Sequence, residues 1–195
     1  MDIKNFVPRK YQENIANICK DKNTLVCLPT GTGKTKISIL TAIHRLNKFS
    51  NSKVMFLTPT KPLAQQICNE FRENTTLEEK KVILLTGSIA PSKRKELYKD
   101  STIIIATPQT IEKDLENLRT NLKNFSLLVV DESHRSKDNF ANTKVAKFFI
   151  DQSDYPRILA LTASPGSTKE LINQVCSNLN IDAIEIRTLR SLHKG

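Results

Sequence analysis

Residues 28–35 read LPTGTGKT and residues 127–134 read LLVVDESH, and these two stretches hold the side chains best suited to chemistry. In the first, Gly31 and Gly33 let the backbone turn so that consecutive N–H groups across Thr30, Gly31, Thr32 and Gly33 converge, as phosphate oxygens require. Lys34 then offers a mobile charge to the terminal phosphates of a nucleotide, and the Thr35 hydroxyl a ligand for magnesium (Mg2+). The general pattern G-x-x-x-x-G-K-[ST] has glycine where this chain has Leu28. In the second stretch an apolar run ends in two acids. Asp131 suits a carboxylate that holds magnesium, and Glu132 a base that orients and deprotonates an attacking water. Each motif alone has a plainer reading: a glycine-rich turn that holds nothing, or acids capping the next helix. Neither explains why the two occur together.

To act together, the two stretches must be brought to one place. Strand-like runs fall at residues 24–28, 53–58, 81–85, 102–106, 127–130, 158–161 and 183–186, most of them continuous Val/Ile/Leu. Such runs fit parallel strands covered on both faces. Helical periodicity fills the gaps, as over 35–47, 63–72, 109–122 and 168–179. Alternating β and α units imply an α/β fold, a doubly wound and mostly parallel sheet with right-handed crossovers. In such sheets ligands bind at the carboxyl ends of the strands, where both motifs would face one crevice. No repeat or linker interrupts residues 1–195, which read as one domain. The ending LRSLHKG lacks a closing element, so a longer protein is expected.

At 22.1 kDa, with 38% hydrophobic and 26% charged residues, the composition is that of a soluble globular protein. No apolar run approaches the roughly 18 residues of a membrane span, and the start has no secretory apolar core. Cys19, Cys27, Cys68 and Cys176 form no CxxC pair and read as free thiols in an intracellular compartment, the cytoplasm if the source is prokaryotic. A net charge of +10 points to a polyanion partner without choosing between DNA, RNA and a basic surface.

DESH, with Thr162-Ala163-Ser164 after the next strand, resembles the DExH branch of superfamily 2 helicases, and the likeness covers essentially the whole chain. It implies a RecA-like P-loop domain that binds ATP and magnesium and grips nucleic acid. This family accepts a residue other than glycine at the position of Leu28. PRKYQ (residues 8–12) resembles its adenine-reading element, implying that Gln12 bonds the adenine edge with Arg9 nearby. TPTKPLAQQ (58–66) resembles motif Ia, Thr86-Gly87 the following TG element, and ATPQTI (106–111) motif Ic. These imply a nucleic-acid face including Thr60, Lys61, Gln66, Thr86, Gly87, Thr107, Pro108 and Gln109. His134, Thr162 and Ser164 are implied to couple the two sites, His134 bonding Ser164 or a group that senses the γ-phosphate. The flanks VVDESHRSKDNFANTKVAKFF and LALTASPGSTKELINQVCSNLNIDAIEIRT look most like archaeal Hef and its eukaryotic FANCM relatives, which implies forked or branched DNA as partner. Many Hef-type chains carry Cys where this one has Ser133.

Other candidates have simpler explanations. Thr60 and Lys61 open a helix, where an N-cap and a phosphate contact are compatible readings. Lys93-Arg94-Lys95 with Lys99 reads either as a DNA patch or as a solvated helix face. His44 and His193 read as ordinary histidines. Aromatic residues make up 6% with no Trp, so backbone contacts rather than base stacking should dominate any grip. A GTPase or small-molecule kinase would leave PRKYQ and TAS unexplained and lacks an NKxD sequence. A non-catalytic nucleic-acid module would not need Lys34, Thr35, Asp131 and Glu132. An RNA helicase or RNA-sensing ATPase of the same branch is the nearer alternative. Superfamily 2 motors need a second RecA-like domain, for which no room remains after Ile186. The isolated domain is expected to be monomeric and to hydrolyse ATP slowly or not at all.

Overall fold

The computed structural model describes residues 1–136, 140–164 and 168–192. Seven strands form one sheet in the order β3-β4-β2-β5-β6-β1-β7. They are β1 (Thr24–Cys27), β2 (Lys53–Leu57), β3 (Val82–Leu85), β4 (Ile103–Ala106), β5 (Phe125–Val130), β6 (Ile158–Thr162) and β7 (Ala183–Ile186). Every pairing between them is parallel, as the apolar runs imply.

The helices are α1 (Lys10–Asp21), α2 (Lys34–Lys48), α3 (Lys61–Asn74), α4 (Pro91–Asp100), α5 (Pro108–Glu116), α6 (Ala141–Gln152), α7 (Lys169–Asn178) and α8 (Leu189–Leu192). Right-handed crossovers decide which face each covers. From β1 to β2 to β3 the chain moves toward the β3 edge, and α2 and α3 lie on one face with α1. From β3 through β4, β5 and β6 to β7 it moves back, and α4 to α7 lie on the other. The core accordingly forms two layers. Val26, Phe56, Ile105 and Val129 meet Ile15, Ile37 and Phe71 on the first face. Leu25, Met55, Ile104 and Leu128 meet Ile111, Phe149 and Val175 on the second. Alternate residues of each strand serve opposite layers, so both parities must be apolar.

Two expectations need correction. The helix read over 109–122 stops at Glu116, because Leu118 takes a left-handed conformation (φ 54°) and turns the chain toward β5. Nor is Lys93-Arg94-Lys95 one solvated face or a continuous basic patch. Arg94 is 5% exposed and makes a bidentate pair with Asp114 at 2.6 and 2.7 Å. Arg119 Nη1 and the Tyr98 hydroxyl each donate to the same carboxylate at 3.0 Å. The network ties α4 to α5; Lys93, Lys95 and Lys99 remain exposed. No helix among the described residues is long and apolar enough to cross a membrane.

Candidate functional site

Leu28 is wholly buried in the first core layer, and its N–H donates to the Thr162 carbonyl at 3.1 Å. That explains why a bulky residue stands where the general pattern has glycine: here the position prolongs the strand. The loop begins after it. Gly31 and Gly33 have φ of 79° and 83°, a region that a side chain opposes. At Gly33 a Cβ would also crowd the end of the Gln12 side chain, so a substitution there would displace the Gln12 amide as well as strain the backbone. The Thr32 hydroxyl donates to the Pro29 carbonyl at 2.6 Å, closing the turn. Lys34 Nζ lies across the loop, donating to the Leu28 carbonyl at 3.0 Å. Free N–H groups at the start of α2 and the ammonium therefore share one small volume, an anion cradle.

Helix α1 braces this loop. The Tyr11 hydroxyl donates to the Thr32 carbonyl. Gln12 is 5% exposed; its Oε1 accepts from the Arg9 N–H at 2.9 Å and its Nε2 lies 3.4 and 3.5 Å from the carbonyls of Thr32 and Gly33. The amide expected to face a base is thus engaged with the loop itself, while Arg9 is exposed. In the sequence only its place one residue before Gln12 marks Tyr11 as a loop contact.

The acids arrive from β5, separated from β1 by β6. Thr30, Gly31, Gly33, Lys34, Thr35, Asp131 and Glu132 line one cleft of 330 Å³. Asp131 accepts from the Glu132 N–H at 2.9 Å and from the Thr58 hydroxyl at 3.4 Å. Burial pushes its carboxyl above the ordinary range, and the neighbouring Glu132 charge adds to the rise. A half-buried carboxylate with so little compensation is a hard oxygen donor suited to a divalent cation beside the Thr35 hydroxyl. Glu132 sits at φ 51°, a left-handed conformation that costs a non-glycine residue about 1–2 kcal/mol. The kink turns the chain from β5 into the 3₁₀ turn Ser133–Arg135.

His134 Nδ1 lies 3.1 Å from Thr162 Oγ1 and 3.3 Å from Glu132 Oε2. Thr162 Oγ1 donates to the Ser164 carbonyl at 2.5 Å and accepts from the Ser164 N–H. With its one proton spent, Thr162 can only accept from His134, which places a proton on Nδ1. The partner of His134 is therefore Thr162, not Ser164; Thr162 ends β6 and is 1% exposed, so it is the residue within reach. A chain of contacts runs from Glu132 through His134 to the Thr162–Ser164 turn. His44 stays outside the site, and His193 lies outside the described residues.

Leu57, Ala106 and Leu85 are register partners on adjacent strands, so motif Ia, motif Ic and the TG element leave the sheet side by side. Thr60 caps α3 by accepting from the Leu63 N–H, Thr86 pairs with Ser88, and Thr107 with Thr110. Lys61, Gly87 and Gln109 are exposed. Pro59, Pro108, Gln109 and His134 line a second cleft of 440 Å³ with Phe140 and Asn142. Phe140 is 54% exposed, and in the sequence only the flank FANTK marks it. Gln66, expected on the nucleic-acid face, instead lines the first cleft with Lys34 and Asp131, because α3 turns that side toward the loop.

Residues 9–172 match the family model described as DEAD/DEAH box helicase. The chain is 44% identical, over 95% of its length, to a Methanocaldococcus jannaschii protein whose name is a provisional designation as an ATP-dependent RNA helicase. It is 39% identical, over 96% of its length, to the ATP-dependent DNA helicase MPH1 of Candida albicans. It spans 23% and 16% of those two relatives. The crystal structure of the Pyrococcus furiosus Hef helicase domain superposes with a TM-score of 0.92 at 43% identity, over 95% of this chain and 39% of that one. With its loop, acids and parallel sheet arranged on this RecA-like plan, the chain belongs to the DEAD/DEAH box helicase family.

Proposed function

We propose that this chain is the ATP-binding half of a DNA helicase or translocase motor that acts on forked or branched DNA. One observation carries the reading: the phosphate loop and Asp131-Glu132 share a cleft, and His134 joins that cleft to a second one lined by Pro59, Pro108 and Gln109. The name of the Candida relative supports DNA as the track; the Methanocaldococcus name favours RNA as the second reading.

In this reading Lys34 and the N–H groups of residues 30–33 hold the phosphates. Arg9 and Gln12 face the base, Gln12 exchanging its loop contacts for the adenine edge. Thr35 and Asp131 hold magnesium, which when bound neutralises phosphate charge. Glu132 orients the attacking water and accepts its proton, and His134 and Thr162 pass the outcome to Ser164. Thr60, Lys61, Thr86, Gly87, Thr107, Pro108 and Gln109 meet the nucleic-acid backbone; Gln66 is better placed to report nucleotide state to α3. A second RecA-like domain of the same polypeptide closes the site and supplies arginines worth roughly 10³ to 10⁵ in rate.

The test uses the full-length protein. Glu132→Gln should lower DNA-stimulated ATP turnover by about 10² to 10⁴ while nucleotide binding persists, and Lys34→Ala should abolish binding itself. Turnover near wild type in the Gln variant would remove Glu132 as the base; stimulation by RNA alone would favour the second reading. Lys61→Ala should reduce the slope of log affinity against log salt by about 0.7 to 0.9 for any sequence, and an unchanged slope would take Lys61 off the track.

A further inference from the structure

The amino-terminal edge of the sheet, opposite both clefts, carries a groove of 590 Å³ between the end of α4 and the segment leading into β5. Lys53, Lys95, Lys99 and Arg119 line it, and no carboxylate does. Lys53 donates to the carbonyls of Tyr98 and Lys99, and Arg119 pairs with Asp114 at 3.0 Å, so two of the cations are held in place. Lys95 and Lys99 are exposed and have no ion pair among the described residues.

Leu118 lines the same groove. It is 86% exposed, and its φ of 54° is unfavourable for a leucine. The turn is fixed from below: the Leu118 N–H donates to the Leu115 carbonyl at 3.0 Å and the Arg119 N–H to the Asp114 carbonyl at 2.8 Å. The buried Arg94–Asp114–Arg119 network thus holds a large apolar side chain out in water, beside a ring of cations. The turn serves the fold by ending α5 and leading into β5, but a leucine 86% exposed at its apex adds no core packing.

We propose that this groove docks an acidic segment of a partner protein that carries an apolar anchor residue. The anchor covers Leu118 while flanking carboxylates pair with Lys95 and Lys99, so charge and apolar surface are satisfied by one ligand. A nucleic acid fits less well. The aromatic rings of the floor, Tyr98 and Phe125, are 5% and 3% exposed and offer no stacking platform, and phosphates would leave Leu118 without an apolar partner. On the function proposed above, nucleotide and nucleic acid would occupy the opposite edge, which leaves this groove free.

Fluorescence anisotropy with short labelled peptides tests this. The probes are a glutamate-rich peptide with central leucines, its glutamine counterpart, its alanine-for-leucine counterpart, and an oligothymidine as the nucleic-acid control. The glutamate–leucine peptide should bind saturably and more weakly in high salt, and both altered peptides should lose affinity. Lys95→Glu with Lys99→Glu should weaken it by about tenfold, with oligothymidine affinity unchanged. Leu118→Asn should weaken the peptide several-fold although it melts no lower than wild type, since asparagine tolerates positive φ. Absence of saturable peptide binding, or affinity indifferent to these variants, would overturn the proposal. So would loss of oligothymidine rather than peptide binding, which would make the groove a nucleic-acid contact.

Discussion

Two aspartates of this domain, Asp114 wholly buried and Asp131 half-buried, have their charge met in opposite ways. Asp114 is wholly buried and receives Arg94, Arg119 and the Tyr98 hydroxyl on its two oxygens. Burial alone would raise its carboxyl, but these partners outweigh it and hold Asp114 below the ordinary range. Asp131 has one N–H and one distant hydroxyl, and burial pushes it up. The first carboxylate is complete and locks two helices together. The second is incomplete, and an incomplete, half-buried anion at the carboxyl end of a parallel sheet is a place for a cation. The same chemical group is structural where its charge is met within the fold and functional where it is left for a ligand.

Substitution should separate the two. Asp114→Asn leaves two arginines facing an amide and should destabilise by about 3–5 kcal/mol, read by denaturant unfolding. A loss under about 1 kcal/mol would mean that the pair adds little. The pH dependence has a definite sign. The folded pKa of Asp114 is depressed, so its contribution is present above the unfolded value and is lost as pH falls through the depressed pKa, below about pH 4.

Asp131→Asn should do the reverse, stabilising the ligand-free chain by about 0.5–2 kcal/mol while abolishing turnover in the full motor. Here the folded pKa is raised, so the ionised form weighs against folding at neutral pH. That penalty fades as pH falls through the raised pKa, and the gap in melting temperature between variant and wild type should close over the same range. A variant that melts lower at neutral pH would show that Asp131 is compensated after all.

The smallest effect sharpens the contrast within the DESH turn itself. Ser133 is wholly buried, and its hydroxyl has no hydrogen-bond partner among the described residues. A thiol suits such a site better, so Ser133→Cys should raise stability by up to about 1 kcal/mol with turnover little changed. A lower melting temperature would point to a partner for the hydroxyl.

Much of the nucleotide site was legible because it is local. LPTGTGKT supplies strand, turn and helix start within a few residues, and the glycines needed at positive φ must be written into the chain. VVDESH likewise carries its acids at the end of its own strand, and the alternation of apolar runs with amphipathic stretches sets the fold class. The seven strands match the expected runs to within one residue, apart from β5, which starts two residues earlier, at Phe125.

What escaped the sequence depends on partners far along the chain. By sequence Arg94 reads with its lysine neighbours as a DNA patch or a solvated face; only the packing of α4 on α5 brings Asp114, twenty positions away, against it. His134 had several candidate partners until β6 placed Thr162 beside β5. Gln66 went to the nucleotide cleft rather than the nucleic-acid face because the rotation of α3 is set by which of its residues the core buries. The strand order could not be read either, since parallel neighbours are joined only through crossovers and any two apolar strands can pair. Composition and short-range spacing determined which groups this protein has and what local shape they take. Burial and long-range pairing decided which of those groups meet, and so which charges are satisfied and which remain available to a ligand.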